Sequence, residues 1–215
     1  GIVGGDGRQT RQFEKDTEAL YQTATGSHSL FEGVDGLFIR HHLSEIRDLA
    51  ALIPDDQQRT LFFGWGLSPA MELFQHRFHL LAEIARANPD RAGHILIAIG
   101  ELSALAKRVG IEPFLEIARR YQSPDEIFRE IKGETIGDPD KGGRYDHSLE
   151  DLILSPQQLL NYAERIDEFQ RAVPPLIKSN SHCHFTGYLV ENYGIEALAP
   201  LGRIARVMGC RAFQW

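Results

Sequence analysis

Cysteine, methionine and tryptophan are scarce in this chain of 215 residues, two of each. Two thiols, Cys183 and Cys210, are too few to frame a small disulfide scaffold, and they leave pairing or free status open. No apolar run approaches the roughly 20 residues that a membrane helix needs, and the first twenty residues are too polar for a secretory signal. Basic residues are outnumbered: 23 Lys and Arg against 30 Asp and Glu set the net charge at −7, with a pI near 5.7. A surface built for phosphate backbones needs clustered cations instead, so no nucleic acid and no membrane span are expected. Also missing are a Gly-rich phosphate loop, a GxSxG elbow, an HExxH helix and a CxxC pair, the usual marks of several enzyme classes. These absences point to a cytoplasmic chain, or a secreted one if a leader preceded Gly1.

A hydrophobic share of 42% and a charged share of 25% suit one good-sized globular domain. Residues 1–27 read as a mobile arm ahead of a single mainly helical domain, 28–215. Apolar residues at Leu43, Ile46, Leu49, Ala50 and Ile53 have helical spacing, and Pro54 closes that helix. Leu61 to Leu67, with Phe62, Phe63 and Trp65 between glycines, fits a buried strand or a tight helical turn. Three Ser-Pro pairs, Ser68-Pro69, Ser123-Pro124 and Ser155-Pro156, each match an N-cap followed by proline at the first helical position. Glu126 and Gln158 add capping boxes to two of them. The predicted helices run about 69–87, 112–121, 124–132, 156–171 and 196–207. Residues 93–109 also read as helix, with a strand at 94–99 as the alternative. A strand at 149–154 would join it in a small sheet, making the fold α+β. Gly133 to Asp146, holding four glycines, is the longest predicted loop.

Nine histidines are the compositional oddity, clustered as His41-His42, His76-x-x-His79 and His182-x-His184. On one helix over 69–87, Glu72, His76, His79 and Glu83 fall within about a 60° sector at 100° per residue, a geometry that could hold a metal; with His76, His79 and His182 as ligands the chain would be an iron, zinc or haem oxidoreductase. The same stripe equally fits a water-facing side, because Leu73, Phe74, Phe78, Leu81 and Ile84 occupy the opposite arc. His42 and Glu45 could add ligands from a second helix.

Chemistry is densest in Ser179-Asn-Ser-His-Cys-His-Phe and the residues up to Gly194. Ser179, Asn180 or Ser181 can cap a helix that Gly194 ends, placing Cys183 in a first turn where the macrodipole favours a thiolate. Cys183 equally fits a small buried hydrophobe. The order Leu154-Ser-Pro-Gln-Gln-Leu-Leu, an amphipathic helix, Pro174-Pro175, Ser179 to Phe185 and Gly194-Ile195 resembles the C-terminal half of permuted papain-like cysteine hydrolases, over residues 133–203. Aligned on Phe185 and Gly194, His182 takes the nucleophile position, so Cys183 serves only after a slip of one residue. The resemblance implies a thiolate attacking an amide or ester carbonyl of a small-molecule or peptide substrate, with no cofactor. The catalytic histidine would come from a strand that precedes the nucleophile. His94 best matches that strand histidine and His147 comes second. The remaining reading is a non-enzymatic helical interaction domain.

Overall fold

The computed structural model describes residues 41–74, 77–133, 135–136, 144–145, 148–172 and 186–208. These residues are mainly helical, and the backbone divides into two compact units, 1–101 and 102–215.

The first unit holds α1 (Leu43–Ala51), α2 (Asp56–Leu61), a π turn (Phe62–Gly66), α3 (Leu67–Leu73), α4 (Phe78–Ala87) and α5 (Ala92–Glu101). Its centre is α5, against which α2, the π turn, α3 and α4 all pack. Seven of the ten α5 residues are buried, including Ile95, Leu96, Ala98 and Ile99. A helix packed on most sides needs no polar face, which is why its sequence resembles a strand. The 94–99 strand is therefore not formed. Gln58, itself buried, ties α2 to the start of α5: its amide nitrogen donates to the Asp90 carbonyl at 2.9 Å, and its amide oxygen accepts from the Gly93 N–H at 3.2 Å. A Cβ on Gly93 would lie 2.7 Å from the Gln58 Cβ, so that contact needs glycine.

Two expectations fail in this unit. Ser68-Pro69 does not start a helix, because α2, the π turn and α3 run on without a break from Asp56 to Leu73. In a regular α-helix the Pro69 ring would meet the carbonyl four residues back, and the wider π turn just before it relieves that clash. The predicted 69–87 helix is also split. α3 ends at Leu73, and Arg77, at φ −83° and ψ 75°, is non-helical before α4 begins. Glu72 and His79 thus stand on different helices.

The second unit comprises α6 (Ser103–Val109), α7 (Glu112–Arg120), α8 (Pro124–Lys132), a 3-10 turn (Glu150–Leu152), α9 (Pro156–Ala172), α10 (Thr186–Tyr193), a 3-10 turn (Ile195–Ala197) and α11 (Leu198–Met208). Here α9 is central and touches α7, α8 and α11. It buries Leu159, Ala163, Ile166 and Phe169 at helical spacing. Phe114 of α7 stacks on Phe128 of α8 with ring centroids 5.4 Å apart. Two sequence-predicted starts hold. Ser123 precedes α8, though without a side-chain capping bond. Ser155 Oγ accepts from the Gln158 N–H at 3.3 Å, while Gln158 Oε1 reaches back to the Leu154 N–H at 2.8 Å. Gly194, at φ +78°, ends α10 as its position predicts.

The expected strand at 149–154 is instead a 3-10 turn held by side chains. Glu150 Oε1 accepts from the Leu105 N–H in the first turn of α6 at 3.2 Å, and Glu150 Oε2 lies 2.9 Å from Lys132 Nζ. Arg108 Nη1 donates to the Glu150 and Ile153 carbonyls, each at 2.9 Å. These bonds hold the segment's acceptors, so it has no need of a neighbouring strand. Among the described residues the only extended pairing is a two-residue antiparallel ladder, Thr135 opposite Tyr145 and Ile136 opposite Arg144, too short for the predicted sheet.

Candidate functional site

Two of the six sequence-predicted site residues fall within the described structure, and Cys183, His147, His76 and His182 lie outside it. His94 is half-buried in the first turns of α5, on a helix rather than the strand that the hydrolase resemblance calls for. His79 is exposed on α4. His42 packs against Phe78 with the rings tilted and their centroids 5.3 Å apart, and its Nδ1 is 3.5 Å from Glu45 Oε1. The Glu45 carboxyl is held below its ordinary range by a backbone hydrogen bond and then by the Ser44 hydroxyl 3.0 Å away. Among the described residues no three His, Cys, Asp or Glu side chains gather closely enough to hold a metal ion.

The surface with a distinct organisation belongs to α9 and α11. The two run side by side in the same direction: Arg165 Nη2 meets Glu196 Oε2 at 2.9 Å near one end, and Ala172 faces Gly202 further along. Gly202 permits that approach, since a Cβ there would sit 3.0 Å from the Ala172 Cβ and 3.2 Å from Phe169 Cδ2. Leu198, Gly202 and Ala205 form the buried arc of α11.

At 100° per residue the rest of α11 divides in two. Ala199, Arg203 and Arg206 occupy about a 60° arc beside the buried one, where with Glu168, Arg171 and Ala172 of α9 they line an open depression of about 410 Å3. Beyond it Pro200, Ile204, Val207 and Met208 fill about a 100° arc and, with Arg203, line a second depression of about 450 Å3. Ile204 is 45% exposed, Met208 66% and Val207 86%, so three large apolar side chains face water side by side. One exposed apolar residue needs no explanation, whereas a contiguous group rimmed by charge marks an interaction site.

The rim is electrostatically one-sided. Arg171 pairs with Asp167, and Glu168 with Arg165 at 3.0 Å. Arg203 and Arg206 are exposed and make no ion pair among the described residues, and with Arg171 they outnumber Glu168, the carboxylate that lines the same depression. Sequence reading identifies the amphipathic helix at 196–207 but not its second apolar arc. Its signal is Pro200, Ile204, Val207 and Met208, at spacings of four, three and one, alongside the separate Leu198, Gly202 and Ala205 set.

No helix among the described residues is long and apolar enough to cross a membrane. The chain matches no family model, no curated protein and no solved structure.

Proposed function

We propose that this chain is a helical interaction domain that binds another protein through α11 and has no catalytic role. The observation that carries this reading is the exposed apolar arc of α11, Ile204, Val207 and Met208, on a helix whose opposite side is already packed in the second unit. Such a surface costs free energy when left in water and gains it when covered, at about 25 cal/mol per Å2 of apolar area.

The test compares the full chain with a Val207→Asp, Met208→Asp variant as immobilised bait, each checked for an unchanged helical circular dichroism spectrum. A defined partner held by the first and lost by the second supports the reading. A stoichiometric metal, a haem absorption band, or turnover of amide or ester substrates by the purified chain overturns it.

A second reading, the cysteine hydrolase or acyl transferase acting through Cys183, is supported by the helix Thr186–Tyr193 with its Gly194 stop, which the residue order of that family requires. Against it, the histidine that best matches, His94, lies on α5. The rate of Cys183 alkylation by iodoacetamide near neutral pH decides. A thiol faster than free cysteine supports the hydrolase, and an ordinary or slower thiol removes it.

A further inference from the structure

Resting on the interaction reading, we infer that the partner of α11 is an acidic amphipathic segment: apolar side chains at helical spacing, with carboxylates along one edge. The apolar arc supplies the seat. Pro200, Ile204, Val207 and Met208 present a strip about two turns long, the span that a helix laid in a groove reads with anchors at i, i+3 or i+4, and i+7.

The charge lies on one side only. Arg203 borders both depressions and Arg206 lines the one toward α9. On α9, Asp167 pairs with Arg171, and Glu168 shares Arg165 with Glu196; that depression is lined by Arg171, Arg203 and Arg206 against the single carboxylate of Glu168. Two exposed guanidiniums are therefore left to meet acids from outside, and a helix seated on the apolar strip brings one of its flanks against them. Guanidinium suits this task because its planar fork accepts a carboxylate in two parallel hydrogen bonds.

Other occupants fit less well. A second copy laid antiparallel on the same face would set Arg203 and Arg206 on the same side as their own counterparts, like toward like, and a parallel copy would leave them without a carboxylate edge opposite. An anionic lipid surface would also meet the two arginines, but the strip lacks the aromatic anchors common on interfacial helices.

The experiment measures fluorescence anisotropy of three labelled 18-residue helical peptides titrated with the full chain at low and moderate salt. All carry leucines at positions i, i+3 and i+7, and differ in flanks of glutamate, lysine or glutamine. The glutamate peptide is expected to bind at least tenfold tighter than the lysine peptide, with a preference that shrinks as salt rises. Val207→Asp with Met208→Asp is expected to remove binding, and Arg203→Glu with Arg206→Glu to reverse the preference toward lysine. All four substitutions are at exposed positions, so thermal unfolding monitors folding in each variant.

Equal binding of the three peptides, lost in the Val207→Asp, Met208→Asp variant, overturns the acidic partner while leaving an interaction face in place. Binding of none of them, with no effect of the apolar substitutions on any captured partner, overturns both. Sedimentation that shows a dimer abolished by Val207→Asp, or uptake onto phosphatidylserine vesicles abolished by it, assigns the face to a second copy or to lipid and overturns the inference.

Discussion

Tyr121, just past the end of α7, buries its hydroxyl without a hydrogen-bond partner among the described residues. Burial raises its phenol above the ordinary value of 10.0, partly offset by the Arg120 guanidinium, which lies 5.3 Å from the ring centroid. The folded state therefore holds this proton more tightly than the unfolded chain does. Its contribution is intact below pH 10 and is lost as pH rises through the folded value. Tyr121→Phe should leave the melting temperature at pH 7 unchanged or slightly raised, because an unsatisfied buried hydroxyl is removed. It should also flatten the fall in stability above pH 10, read by thermal unfolding across that range. A melting temperature lowered by several degrees would mean that the hydroxyl has a partner. Glu150 is the opposite case, a carboxylate 10% exposed whose two oxygens are both used, by the Leu105 N–H and by Lys132. Glu150→Ala leaves that N–H and the turn around it unsupported and should cost about 1–3 kcal/mol in chemical denaturation. Lys132→Met leaves that largely buried carboxylate without its cation and should cost about 1–3 kcal/mol as well.

At the scale of elements, legibility followed how far a signal was local. Ser155-Pro156 with Gln158, Gly194 and the Leu43 to Ile53 pattern act within one or two turns, and the helices they predict are present. α5 was ambiguous because burial on nearly every side erases the helical period, and only packing against its neighbours distinguishes it from a strand. Ser68-Pro69 misled because a proline that starts one helix can sit inside another when the turn before it widens. That π turn contains two glycines with opposite surroundings. A Cβ on Gly66 would lie 2.8 Å from Ile97 Cγ1 and 3.3 Å from the Ile97 Cα, whereas one on Gly64 meets nothing within 4 Å. Gly66→Ala should therefore separate the π turn from α5 and lower stability by about 1–3 kcal/mol. Gly64→Ala should raise it by about 0.5–1 kcal/mol, through a less flexible unfolded chain. Denaturant midpoints of the two variants settle the matter, and a Gly66→Ala protein as stable as wild type would show that this approach is looser than described.

For the molecule as a whole, periodicity is a sound guide to class and a poor one to site. Helical spacing and Ser-Pro starts predict a mainly helical chain, and the described residues are mainly helical. The site was less legible because the two enzyme readings each need residues brought together from distant segments, and spacing along one sequence carries no such information. The apolar arc of α11, by contrast, lies within one helix. It was countable from Pro200, Ile204, Val207 and Met208, but only burial of Leu198, Gly202 and Ala205 tells which of two apolar arcs is spoken for. An arc that serves binding and not folding should be replaceable without loss of stability. Val207→Asp with Met208→Asp should shift the melting temperature by no more than about 2 °C, since surface substitutions lie mostly within 0.5 kcal/mol. The same change should reduce binding of an apolar dye such as anilinonaphthalene sulfonate and raise solubility near the pI of 5.7. A loss of several degrees would instead show that Val207 and Met208 are covered by the chain's own residues, and α11 would then be a structural helix with no face to offer.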